Sequence, residues 1–338
     1  MNNAGTIDRS ALAIAAVTAA MWGLTGIFVR LLPTLSPLAV TSWRLLVAFG
    51  SVLPIFAIRA ARRRDLKRTL ARPVAYVLAG LLVSYYLLAT ASFQLAPVAE
   101  VALLLSTSPL FVLTLRRLRG DAPTRLEIIG AILSVTGIAL VLAPRLTVME
   151  GFATAHLFGD ALALCAAAMT ALYAFLYRHL RMHDIAPEPT SLTFLTFLLG
   201  AAVLIGIAWP FPITVSLEKL SGRSLLSLLG LGVLCTAIPS FGFAIVSKRL
   251  PSTVTAATSL LIPLFAGIFA YVFLGEKLSS MMVPGGLLVL AGLVVILRQN
   301  QQSNEGRRHK INSADQQEIL KTRHLRLYGL KREFHGSL

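Results

Sequence analysis

Charge is what this sequence has least of. Only 14% of its 338 residues are charged, and just 15 are acidic. A soluble domain carries charge on about a quarter of its residues, so a water-exposed globular surface is excluded. Cysteine is almost missing as well. Cys165 and Cys235 are the two present, each inside an apolar run, so they build neither a disulfide framework nor a metal-ligand spacing. Nor does the chain show the ten-residue apolar/polar alternation of a membrane β-barrel strand. Motifs of intramembrane chemistry are also absent: there are no paired aspartates for a diphosphate and magnesium, no His-Glu-x-x-His, and no nucleophile at a recognisable spacing from a base. The Gly-Asp pairs at 120 and 159 lie at the ends of apolar runs. An enzyme, a cofactor and a bound metal are therefore not expected.

What remains is apolar, at 56% of residues. Ten runs of about 18 to 24 residues stand near 11–32, 37–58, 74–94, 97–115, 126–143, 157–178, 190–209, 224–247, 252–274 and 281–298. Each is long enough to cross roughly 30 Å of hydrocarbon as a helix. The first is longer than the core of a cleaved signal peptide and has a counterpart later in the chain, so it is read as a mature helix.

The net charge of +16 does not mark a nucleic-acid binder, because the cations sit between apolar runs and in the tail. With the amino terminus in the cytoplasm, sixteen Lys and Arg fall in inside segments: Arg9; Arg59, Arg62, Arg63, Arg64, Lys67, Arg68 and Arg72; Arg116, Arg117, Arg119 and Arg125; Arg178 and Arg181; Lys248 and Arg249. Five fall outside: Arg30, Arg145, Lys219, Arg223 and Lys277. The positive-inside rule then places both termini in the cytoplasm of a multi-pass inner-membrane protein.

The two halves repeat. At an offset of 154, Pro97, Pro109, Leu110 and Phe111 meet Pro251, Pro263, Leu264 and Phe265. At 155, Gly120, Asp121, Gly130 and Gly137 meet Gly275, Glu276, Gly285 and Gly292, and at 148 "AAMWGLTGIFVRLL" from Ala19 meets "AAMTALYAFLYRHL" from Ala167. Five helices per half is an odd number, so the second copy enters the membrane from the opposite side. The edge charges agree: the turn at Gln94 is nearly uncharged, while its equivalent at Lys248 and Arg249 is basic.

The expected fold is an all-α polytopic membrane protein of ten transmembrane helices in two inverted five-helix repeats. Residues 1–10 form a cytoplasmic amino terminus, 11–145 and 156–298 the repeats, and 299–338 a basic cytoplasmic tail, either disordered or lying on anionic lipid. Inverted repeats can exchange conformations across the bilayer, which favours alternating access to a midplane site.

The stretches "MWGLTGIFVR", "SPLAVTSWRLLVA", "LLIPLFAGIFAYVFLGEKLS" and "PGGLLVLAGLVVIL" resemble the drug/metabolite transporter superfamily, specifically its EamA type. The resemblance covers about residues 11 to 298. It implies ten helices, both ends inside, and export of amino acids or related small metabolites. One departure is Arg119-Gly120-Asp121, where Leu-Gly-Glu is expected.

An ionised side chain at the bilayer centre costs about 3 kcal/mol, which makes each one a functional candidate. Arg44 lies about two turns into the second run, Glu100 about one turn into the fourth, and Asp160 near the outer start of the sixth. Arg44 and Glu100 either pair structurally or divide a substrate between them, the cation holding a carboxylate and the acid an amine or a coupling proton. Asp160 is expected to cap the sixth helix and Glu276 the tenth.

Helical spacing puts Thr18, Trp22, Thr25 and Val29 on one face, and the repeat carries that face to Ala166, Thr170, Tyr173 and Tyr177. Tyr85 and Tyr86 sit at mid-depth, suited to an apolar group or an ammonium. Any of these aromatics could equally be packing. Pro109 and Pro263 are matched hinge candidates, with Ser106, Thr107, Thr258 and Ser259 close enough to satisfy freed carbonyls. The expected partners are a small-molecule substrate, the lipid bilayer and coupling protons, with no nucleic acid, in a monomer or homodimer. A channel-like facilitator or a non-transporting sensor shares the same sequence features.

Overall fold

The computed structural model describes residues 9–58, 60–146, 151–208, 221–250, 258–277, 280–296 and 298. The tail 299–338, the start of the ninth run at 251–257 and Lys219 lie outside these, as does Val254, the repeat partner of Glu100.

The apolar runs fold as helices because a backbone in hydrocarbon must satisfy its own hydrogen bonds. Among the described residues eight helices are long and apolar enough to span: α1 (Arg9–Arg30), α2 (Pro37–Ile58), α4 (Pro73–Leu95), α5 (Val98–Leu118), α6 (Arg125–Leu146), α7 (Gly151–Met182), α8 (Pro189–Ala208) and α9 (Gly222–Ser247). Two further apolar helices, α10 (Leu261–Leu274) and α11 (Met282–Ile296), are shorter. Between α2 and α4 lies α3 (Ala60–Leu70), a polar helix that hydropathy alone does not mark.

Contacts come in matched sets when α1, α2, α4, α5 and α6 are laid on α7, α8, α9, α10 and α11. α1 packs on α10 as α7 packs on α5; α1 on α9 as α7 on α4; α2 on α9 as α8 on α4. The pairs α2·α8 and α5·α10 map onto themselves.

So does α6·α11, which is built from glycine. A Cβ at Gly130 would stand 2.7 Å from the Gly292 carbonyl oxygen, and one at Gly137 2.5 Å from that of Gly285. Exchanging the halves turns one contact into the other. The Ser134 hydroxyl donates across the same crossing to the Val289 carbonyl at 3.3 Å. Small residues let the backbones meet where lipid offers no hydrophobic drive for association.

Three sequence expectations change. Asp160 does not cap a helix: α7 begins at Gly151, so Asp160 sits more than two turns inside it, 1% exposed. The helix begins ahead of the apolar run, so at Asp160 the backbone N–H groups are already inside the helical ladder and need no cap. Glu276 does not cap α11 but accepts the Val98 backbone N–H of α5 at 2.9 Å. Gly275, at φ 65°, reverses the chain there and sends the carboxylate to the helix start next door in space.

The proline hinges are breaks just before each proline. α5 is interrupted at Ser106 and Thr107, α10 starts after a turn at Leu260, and Pro109 opens the next helical segment. Ser106 and Thr107 donate to the Ala102 and Leu104 carbonyls, at 2.9 and 2.6 Å, which also accept the backbone N–H groups of the same two residues.

Candidate functional site

α2 carries Arg44 two turns in from Pro37, where it is 3% exposed. A buried guanidinium needs acceptors, and α9 provides them through an irregularity. Val233–Ala237 forms a π-helical turn, a feature frequent at functional sites. Within it, Thr236 Oγ1 accepts the Arg44 Nε–H at 2.5 Å and donates to the Leu231 carbonyl at 2.8 Å. Arg44 Nη2 reaches the Cys235 carbonyl at 3.4 Å. Gly232 permits this approach, since a Cβ there would stand 3.0 Å from the Arg44 carbonyl oxygen and 2.5 Å from Val47.

Aromatic rings complete the surroundings. The Arg44 guanidinium lies 4.8 Å from the centre of the Tyr86 ring, a cation–π contact strengthened by burial. Tyr85 packs against Tyr86 at 5.3 Å. Ser240 of α9 stands beside Tyr86 and donates its hydroxyl to the Thr236 carbonyl at 2.6 Å. Tyr173 on α7 is near enough to interact electrostatically with Tyr86, and it stacks on Tyr177 at 5.8 Å. Thr25 stands beside Cys235.

Arg44, Tyr85, Tyr86, Tyr173 and Thr25 are thus brought together. Trp22 is not part of that group. It meets Phe243 at 5.5 Å and, with Thr18, Thr258 and Ser259, lines a pocket of about 200 Å3, mouth included, between α1, α9 and α10. Thr170 spends its hydroxyl on the Ala166 carbonyl of its own helix, at 3.0 Å.

Glu100 is 4% exposed in the first turn of α5, where the helix dipole favours a negative charge. The hydrogen bonds and ring contact of Arg44 described above go to α9 and α4, and none is to Glu100. Sequence reasoning missed Thr236 and Ser240. The stretch "CTAIPS" held the signal, since hydroxyls flanking a proline inside a membrane helix mark an irregular backbone.

Below the centre, Glu127 is fully buried. Its carboxylate takes Arg116 at 2.5 Å and the Thr124 backbone N–H at 2.8 Å, while Thr124 Oγ1 accepts the Glu127 N–H at 3.2 Å. This is a capping box at the start of α6. Among the described residues no three His, Cys, Asp or Glu side chains come together as a metal site.

A guanidinium has five N–H donors in a planar fork suited to a carboxylate. Held by one hydroxyl and one carbonyl beneath aromatic faces, Arg44 keeps donors for a third party.

A bundle of apolar helices of spanning length, with polar groups buried inside it, marks a multi-pass membrane protein, and the comparisons give its kin. The pattern of the EamA-like transporter family matches twice, over residues 9–143 and 157–298, and the chain belongs to that family. It is 30% identical over 285 residues to an uncharacterised transporter of Archaeoglobus fulgidus, covering 84% of this chain and 94% of that one. It is 27% identical over 283 residues to the uncharacterised transporter YwfM of Bacillus subtilis, covering 83% and 91%. A solved crystal structure shares the fold at TM-score 0.59 and 19% identity, over 85% of this chain and 96% of that one.

Proposed function

We propose that the protein exports small metabolites, namely amino acids or related amines and carboxylates, across the inner membrane by alternating access coupled to protons. Its ten spans form two inverted five-helix repeats, residues 11–145 and 156–298, with both termini in the cytoplasm, and it works as a monomer or homodimer.

The observation that carries this reading is the Arg44 site. A cation from the first half is held by Thr236 and Cys235 of the second, beneath Tyr86, in the middle of the bundle. A substrate carboxylate on Arg44 therefore touches both halves, as a site between exchanging repeats requires. Tyr85, Tyr86 and Tyr173 receive its side chain or ammonium. Glu100, buried and acidic, is the candidate proton carrier.

The matched contacts, the isologous glycine crossing and the double family match support the inverted repeat. The excess of cations in inside segments supports the orientation.

The test is efflux from proteoliposomes loaded with a mixed amino-acid panel, with and without a pH gradient. Saturable efflux that Arg44→Ala removes without loss of folded protein supports the site. Efflux equal to empty liposomes for every class refutes transport, and linear, non-saturating flux favours a channel-like facilitator.

A further inference from the structure

We infer that α3 is a docking platform for anionic phospholipid headgroups at the membrane surface. Its described side chains include an apolar side and a basic side. Leu66 seats against the α2·α8 cluster that holds Phe56 and Phe194, Leu70 against the α4·α8 cluster that holds Leu78 and Leu192, and Thr69 is 2% exposed between them. The helix is therefore fixed to the bundle along one side.

On the other side stand Arg64, Lys67 and Arg68, all exposed. The spacing i, i+3, i+4 stacks them on one face. Neighbouring Arg63 is also exposed but spends its guanidinium on the Phe56 and Ala57 carbonyls at the end of α2. Arg64, Lys67 and Arg68 have no hydrogen bond or ion pair with any described residue. Like charges at i, i+4 repel along a helix, so this face is held by the packing beneath it, and among the described residues no carboxylate, Asp65 of the same helix included, forms an ion pair with it.

Two further observations place that anion in the bilayer. The helix joins the ends of two lipid-exposed spans: Ile58 and Ile55 stand out from the end of α2, and Tyr76 and Val77 from the start of α4. Tyr76 is an exposed aromatic one turn inside a span, the position of the interfacial belt. The platform is also tied to the other half. Arg62 pairs with Glu188 at 3.1 Å, and Arg72 donates to the Ile185 and Ala186 carbonyls at 2.6 and 3.1 Å. A headgroup on α3 thus bears on the connection between α7 and α8 through two arginines. The positive-inside rule accounts for cations at this level but not for their single exposed face on a docked helix.

The full chain is purified and exchanged into nanodiscs of phosphatidylcholine alone or with phosphatidylglycerol, and the retained lipid is counted by native mass spectrometry. The wild type keeps phosphatidylglycerol selectively and unfolds at higher temperature when it is present. The triple variant Arg64→Gln/Lys67→Gln/Arg68→Gln loses that retention by roughly tenfold or more.

A second triple, Arg117→Gln/Arg125→Gln/Arg181→Gln, removes the same charge elsewhere and keeps it. Monodisperse elution of both variants in phosphatidylcholine shows that they fold, and Arg64→Lys/Arg68→Lys, which keeps the charge, binds as the wild type does. Equal loss in the two triples, equal retention of the two lipids by the wild type, or the same stabilisation from inorganic phosphate would each overturn the proposal. So would a polyanion such as RNA displacing the lipid at stoichiometric amounts.

Discussion

The link between Arg44 and Thr236 can be weighed by a double-mutant cycle. Thr236→Val keeps the shape of the side chain but removes the oxygen that accepts Arg44 Nε–H at 2.5 Å and donates to Leu231. The guanidinium, 3% exposed, is left short of a partner. Hydrogen bonds to charged groups are worth about 1.5–3 kcal/mol, so the variant loses about 2–3 kcal/mol. Arg44→Met removes the charge with its burial penalty, and replacing a buried charge with an apolar side chain of similar size is often neutral or stabilising. Its own effect on stability is therefore small. In the Arg44→Met background, Thr236→Val loses only the neutral bond to Leu231, about 1 kcal/mol. The coupling is then about 1–2 kcal/mol, read as Tm shifts of roughly 2 °C per kcal/mol in a chain of this size. Thermal unfolding of the four proteins in identical nanodiscs measures it. Additivity within about 0.5 kcal/mol would refute the contact as a buried charge-assisted bond. Stability and transport should also part company, because Arg44→Met stays folded while losing efflux.

Four other outcomes follow. Gly137→Ala forces its Cβ against the Gly285 carbonyl and the Val289 backbone, and overpacking of that kind costs about 1–3 kcal/mol. Gly80→Ala, with nothing within 4 Å, should raise Tm through helix propensity. Glu276→Ala leaves the Val98 N–H without its carboxylate and lowers stability by about 1 kcal/mol, as loss of a helix cap does. Glu188 gives a pH dependence. Burial pushes its carboxyl up, but hydrogen bonds from Ser191 and Thr190 together outweigh that and hold it below the ordinary value of 4.5. Its stabilisation is therefore full above pH 4.5 and lost as pH falls through the lower folded value. A pH titration of Tm should show a smaller acid-side decline in Glu188→Gln than in the wild type.

The spans were legible because hydrocarbon thickness fixes their length, and eight of the ten apolar runs reappear as helices long enough to cross. Four glycines that the offset of 155 pairs in sequence, Gly130, Gly137, Gly285 and Gly292, meet at one crossing. Arg44 stood out for the same reason any cation in an apolar run does. Its partner Thr236 was signalled only by the hydroxyls flanking Pro239, and a π-helical turn, set by three-dimensional packing, presents it to the cation. Glu276 shows the limit of local grammar, since its carboxylate caps a helix start 178 residues away. Helix α3 escaped because hydropathy reads membrane depth rather than helicity, and a mostly polar helix seats only a few side chains, Leu66, Thr69 and Leu70, against the bundle.

The glycine crossing of α6 and α11 limits how the molecule can move. Two backbones already in contact cannot come closer, and the Ser134 bond to Val289 holds them from parting. If the halves rock to expose the site to either side, this crossing is the fulcrum, and the travel falls on the ends of α1, α5, α7 and α10. A disulfide engineered between α6 and α11 would leave turnover intact, while one joining α1 to α10 near Gly23 and Phe265 would arrest it.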